Sequence, residues 1–180
     1  MSAPLPLHST SPAREGATPI RLGFAAEPIV ELTGHGVLYS ECLARMILVE
    51  SVLLKAGDFV SGLEAKGSIG LLDAAMVDLV LDALADDLHV HLGCNVSPRT
   101  LADPEMWRFL VGRIAARPWL APRMTIEITE SAPLDEVPEA RSRLADICSL
   151  GCRIAIDDFG AGYASSGRLN GLGIDWDIVK

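Results

Sequence analysis

Six polar residues stand where short apolar runs end: Glu41, Asn95, Glu127, Asp157, Asp158 and Lys180. The densest stretch is Arg153-Ile-Ala-Ile-Asp157-Asp158-Phe159-Gly-Ala-Gly-Tyr163. Its first four residues suit a buried parallel strand, and the Gly-Ala-Gly turn lets the backbone leave that strand sharply. Two adjacent carboxylates repel each other and lose hydration unless a cation or a basic group neutralises them. Asp157 and Asp158 therefore admit two readings: a divalent-cation site, or a solvated loop in which Asp158 caps the next helix. Glu41, with Arg45 four residues on, admits a surface ion pair as well. Carboxylates or amides ending several separate strands make an oxygen-rich set suited to hard cations, Mg²⁺ or Mn²⁺.

The elements that must position these groups follow from the periodicity. Gly23–Leu32 and Val37–Ala44 read as strands joined by the Thr33-Gly-His-Gly36 turn, hence an antiparallel hairpin. Residues 46–70 are less regular, with a short helix near Phe59–Ala65. Leu71–Leu84 sets Asp73, Asp78 and Asp82 against a broad apolar face, a helix. His89 to Asn95-Val-Ser-Pro98 reads as a strand, with His89 and His91 in exposed or capping roles. Asp103-Pro104 starts a helix running to Ala116, and Met124–Thr129 is a strand followed by Glu130-Ser131. Glu139–Leu150 is a helix stopped by Gly151; a short helix over Ser166–Leu172 and a strand over Trp176–Lys180 complete the order. Strands alternating with helices after one hairpin predict a parallel sheet with right-handed crossovers, and in a β/α barrel the C-terminal strand ends share one face.

The totals bound what such a site can serve. The chain has 180 residues, 49% apolar and 22% charged, which is a globular composition. A formal charge of −9 argues against binding a nucleic-acid polymer or an anionic membrane. An anionic ligand then needs a metal ion or a local basic cluster to approach. Cys42, Cys94, Cys148 and Cys152 form no zinc-like pattern and read as reduced, mostly buried residues of a cytoplasmic protein. Residues 1–19, with four prolines, read as a disordered leader, and no apolar run has the length of a membrane span.

These motifs together resemble the EAL domain, the family of cyclic-di-GMP phosphodiesterases. Pro28-Ile-Val-Glu-Leu is similar to its opening strand, and Glu41-Cys42-Leu43-Ala44-Arg45 to its Glu-Ala-Leu-x-Arg signature, with Cys42 in place of alanine. Asn95-Val-Ser-Pro98, Glu127-Ile-Thr-Glu130-Ser131 and Asp157-Asp158-Phe-Gly-Ala-Gly-Tyr163 are similar to three further motifs. The resemblance covers residues 20–180 and implies an incomplete TIM-like (β/α) barrel with an antiparallel first strand and six strands. It implies that Glu41, Asn95, Glu127 and Asp157 ligate a first Mg²⁺ or Mn²⁺, and that Asp157 and Asp158 hold a second. Side-chain oxygens sharing one cation at roughly 2.1 Å each should meet within about 5 Å. Lys180 would lie near the attacking water, Arg45 and Leu43 would contact substrate, and Glu130 would brace the Asp-Asp-Phe-Gly loop. The implied reaction is hydrolysis of cyclic-di-GMP to the linear dinucleotide pGpG.

Departures from the family pattern set further expectations. The stretch after Arg45 lacks the usual aromatic, and the Asp157–Lys180 spacing is slightly long. A complete barrel takes about 250 residues, and within these 180 the family's seventh-strand glutamate and eighth-strand glutamine have no counterpart. The expectation is therefore little phosphodiesterase activity from this chain by itself. The alternative is a catalytically inactive module that binds cyclic-di-GMP or a protein. An open barrel edge would call for a homodimer or a partner domain to cover it.

Overall fold

The computed structural model describes residues 20–32, 34, 36–48, 52–129, 134–157 and 173–180. Glu130, Asp158, the 1–19 leader and the helix expected over 166–172 lie outside the described residues.

The chain opens with the expected hairpin. β1 (Arg21–Val30) pairs antiparallel with β2 (Val37–Ile47), in register from Arg21 opposite Ile47 to Ile29 opposite Tyr39. Pro28 is tolerated because β1 pairs on one side alone among the described residues. β2 runs three residues past the expected end, to Ile47, and pairs there with β3 (Leu53–Lys55), a short antiparallel strand. This strand is an addition to the six read from the sequence; three residues leave too little periodicity to detect. α1 (Ala56–Ala65) follows it directly, a turn earlier than expected, and Asp58 accepts from the Lys55 N–H at 2.8 Å to start it.

From β2 onward the sheet is parallel. β4 (Leu92–Val96) pairs with Ser40–Cys42 of β2, and β5 (Met124–Thr129), β6 (Arg153–Asp157) and β7 (Ile178–Val179) follow in chain order. That sequential order is that of a β/α barrel and has no switch point of a doubly wound sheet. The sheet is not closed among the described residues.

Helices cover one face of the sheet. α2 (Ile69–Asp86) is apolar on nearly all sides, because it lies between the sheet and α4 (Pro104–Ala115). Its Met76, Val80 and Leu84 join Ile126 of β5 and Leu110 and Ile114 of α4 in the core. Two of its carboxylates, Asp78 and Asp82, meet Arg113 and Arg117, the latter pair at 2.6 Å. Arg123 closes the C-terminal end of α2, donating to Leu84 O at 2.7 Å and Asp87 O at 2.8 Å. The short α3 (Pro98–Ala102) is capped by Ser97, and Asp103 caps α4 through the Glu105 and Met106 N–H groups, as its sequence predicts. α5 (Ala140–Ser149) ends at Gly151, whose φ of 96° needs glycine. Cys42, Cys94 and Cys152 are buried, Cys148 and the two histidines of 89–91 are exposed, and all four cysteines are free. No helix among the described residues is long and apolar enough to cross a membrane.

Candidate metal centre

Alternation along the strands decides which side chains meet. On β2 the face carrying Glu41 also carries Tyr39 and Leu43; on β4 it carries Gly93 and Asn95; on β5, Thr125 and Glu127; on β6, Arg153 and Asp157. The register places Glu41 opposite Gly93, and Asn95 opposite Glu127. Glu41 and Glu127 thus stand within their strands, not at the ends expected from the apolar runs. β2 extends past the site to reach β3, and β5 runs two residues beyond Glu127.

The carboxylates of Glu41, Glu127 and Asp157 each offer an oxygen within 4.8 Å of the others, inside the separation expected for shared ligation. Asn95 joins them, its Nδ2 donating to Glu41 Oε1 at 2.7 Å. Lys180, immediately after β7, brings its Nζ to Glu127 Oε2 at 2.5 Å, Glu41 Oε2 at 2.6 Å and Asp157 Oδ1 at 3.2 Å. Five residues from five strands or strand ends therefore converge.

The electrostatics follow from this crowding. Glu127 has no solvent exposure, and burial followed by the Glu41 charge pushes its carboxyl up to about 7, against the opposing hydrogen bonds from Lys180 and Tyr39. Burial disfavours the Lys180 ammonium, but its bonds to Glu127 and Glu41 outweigh that and raise its pKa. Lys180 is a cation at any physiological pH.

The arrangement suits a hard divalent ion. Asn95 Oδ1 and Glu127 Oε1 are buried acceptors with no hydrogen-bond donor among the described residues. Unpartnered buried acceptors are costly, and ligation of an ion would relieve that cost. The all-oxygen donor set fits that chemistry.

Of the other expected site residues, Leu43 lines a cavity of about 290 Å³ that opens beside the carboxylates and extends to Val60, Glu64 and Asp73. Arg45 is turned aside: it donates to its own strand at Leu43 O (3.2 Å) and Ala44 O (3.0 Å) and pairs with Glu27 of β1 at 3.6 Å. The ion pair weighed for Glu41 and Arg45 does not form, since side chains four apart on a strand stand about 13 Å from each other. Glu130 and Asp158 lie outside the described residues.

Three neighbours escaped the sequence reading. Tyr39 Oη donates to Glu127 Oε2 at 3.0 Å, Gly93 leaves room for both groups, and Arg153 sits 5.6 Å from the centroid of the Tyr39 ring. Their signal was the two-residue spacing: Tyr39 and Gly93 stand two before Glu41 and Asn95, and Arg153 four before Asp157, so all share the site's face.

The EAL domain family matches residues 18–180. The chain belongs to the EAL domain family. Among curated proteins, this EAL chain is 30% identical over 157 residues to cyclic di-GMP phosphodiesterase PdeF of Escherichia coli K12, covering 83% of the chain and 20% of PdeF. Among solved structures, the S helix-GGDEF-EAL region of Vibrio cholerae LapD superposes with a TM-score of 0.76 at 16% identity, covering 87% of this chain and 38% of that one. The FimX EAL domain of Pseudomonas aeruginosa, solved bound to c-di-GMP, gives 0.73 at 19% identity, with 88% and 64% covered. This chain thus spans a fifth of PdeF. The solved relatives carry the same mixed α/β fold.

Proposed function

We propose that this EAL domain serves cyclic-di-GMP signalling and that its site is built for metal-dependent hydrolysis of cyclic-di-GMP to pGpG. The observation that carries the reading is the convergence of Glu41, Glu127 and Asp157 within 4.8 Å, joined by Asn95 and Lys180. Glu41, Asn95, Glu127 and Asp157 would hold Mg²⁺ or Mn²⁺, with Asp157 and Asp158 serving a second ion. Ions held there would supply a water of lowered pKa and charge stabilisation for an in-line phosphodiester displacement. Lys180 would lie near the attacking water; its ammonium is shared among Glu41, Glu127 and Asp157, and it would donate to that water once one of these carboxylates turns to an ion. Water oxygen bonds to phosphorus, one ribose oxygen leaves with a proton, and the ring opens. Arg45 would turn to a substrate phosphate by releasing Glu27; that carboxylate is 61% exposed, so the pair is worth little. Leu43 would contact substrate from the cavity wall. Glu130 would brace the loop that carries Asp158.

A second reading, a module that binds cyclic-di-GMP or a protein without turnover, is favoured by one observation: the Lys180 ammonium already touches all three carboxylates. Purified protein with Mn²⁺ and cyclic-di-GMP, assayed for pGpG by chromatography, separates the two. Product formation lost in Asp157→Asn supports hydrolysis. Cyclic-di-GMP binding without pGpG supports the second reading, and neither binding nor product overturns hydrolysis and cyclic-di-GMP recognition alike, leaving only the protein-binding form of the second reading.

A further inference from the structure

We infer that Tyr39 is a positioning residue for the metal centre, acting through Glu127. The inference rests on the reading of Glu127 as a ligand. Tyr39 is 1% exposed, and its hydroxyl donates to Glu127 Oε2 at 3.0 Å. A buried carboxylate on a strand can rotate about its terminal torsion, because that torsion has broad wells. A donor fixed to one oxygen removes this freedom. Oε2 is held by Tyr39 and Lys180, and Oε1 has no hydrogen-bond donor among the described residues, which leaves it available to an ion.

The surroundings keep the phenol itself in place. At Gly93 an added Cβ would lie 2.1 Å from Glu127 Oε1 and 2.3 Å from Tyr39 Cε2. Both values are far inside van der Waals contact, so the absence of a side chain at 93 is what lets ring and carboxylate share this space. The Arg153 guanidinium lies over the ring at 5.6 Å, a cation–π distance. Ring, glycine and guanidinium come from three strands and serve one hydrogen bond. Losing a group that orients a metal ligand from behind typically costs about ten- to a hundredfold in metal affinity.

The test is Mn²⁺ affinity, followed by the loss of the free-ion electron paramagnetic resonance signal, on the intact chain and on Tyr39→Phe, Glu127→Gln and the double variant. Thermal midpoints are taken in parallel without metal. Tyr39→Phe keeps the ring and removes one oxygen; it should weaken Mn²⁺ binding about ten- to a hundredfold while moving the metal-free midpoint by only a few degrees. In the Glu127→Gln background the same change should have no further effect, which a general packing role would not produce. Unchanged affinity in Tyr39→Phe, with Mn²⁺ bound by the intact chain and measurably weakened in Glu127→Gln, overturns the positioning role alone. Absence of Mn²⁺ binding by the intact chain overturns the metal reading and this inference with it. Should Tyr39→Phe fail to fold, Arg153→Met, which frees the ring and leaves the hydroxyl, should weaken Mn²⁺ binding several-fold; equal affinity there would overturn the inference.

Discussion

At the scale of single residues the site depends as much on a missing side chain as on those present. Gly93 is the sharpest case, since alanine there would press on Glu127 Oε1 and on the Tyr39 ring together. Neither neighbour can yield freely: Glu127 is tied to Lys180 and Tyr39, and Tyr39 is packed under Arg153. Gly93→Ala should therefore destabilise the protein by about 2 kcal/mol, the usual cost of overpacking. Gly62, in α1, has nothing within 4 Å of an added Cβ. Gly62→Ala should instead stabilise by about 0.5 kcal/mol through helix propensity. Urea unfolding of both variants checks the contrast, and equal effects at the two glycines would contradict it. Tyr39 itself stays protonated, because burial and then the Glu127 charge raise its pKa, so it is a donor throughout.

At the scale of elements the question is what holds β4 and α3 beneath the site. Asp73, buried on α2, accepts from the Ser97 N–H at 3.0 Å and from Thr100 Oγ1 at 2.5 Å, and Ser97 Oγ donates to Glu64 of α1 at 3.0 Å. One carboxylate thus fastens the turn that starts two residues after Asn95. Burial is the main cause that pushes the Asp73 carboxyl up to about 6, and the two hydrogen bonds restrain the rise. Its folded value lies above the unfolded one, near 3.9. The folded protein accordingly holds the Asp73 proton more tightly, and this contribution to stability is full below about pH 4 and lost as pH rises through about 6. An asparagine side chain in its place would keep an acceptor oxygen for the Ser97 and Thr100 donors without titrating. Asp73→Asn should gain on the parent by roughly 3 kcal/mol between about pH 4 and pH 7. Urea midpoints of the two proteins across that range measure the gain, and a constant difference would refute it.

At the scale of the whole molecule, charge sets the terms on which a ligand arrives. The chain carries −9 overall, and its candidate site gathers three carboxylates around one ammonium among the described residues. A cyclic dinucleotide brings two further negative charges. Without a cation the long-range field opposes association, and a divalent ion at the carboxylates reverses the sign locally. Cyclic-di-GMP affinity should therefore fall at least about tenfold when EDTA replaces Mn²⁺, since tenfold is about 1.4 kcal/mol and the lost attraction is larger. Isothermal titration in the two buffers measures it. Affinity independent of metal would mean that ligand recognition bypasses the carboxylates.

Much of this was written in the local sequence. The hairpin, the strand-helix alternation, the Asp103 cap and the Gly151 stop are short-range signals, set by side-chain periodicity and by backbone freedom over a few residues. Motif order and spacing also singled out Glu41, Asn95, Glu127, Asp157 and Lys180, the groups that the fold brings together. What the sequence left open are contacts between residues far apart in the chain. Tyr39 reaches Glu127 across 88 positions and Lys180 reaches Glu41 across 139, and strand register alone decides such distances. The same holds for Arg45, which faces Glu27 because β1 lies beside β2, and for β3, which forms because β2 runs on to meet it. The sequence chose the groups that could bind an ion; the tertiary structure chose their neighbours, because burial and register fix which oxygens are held and which are left open.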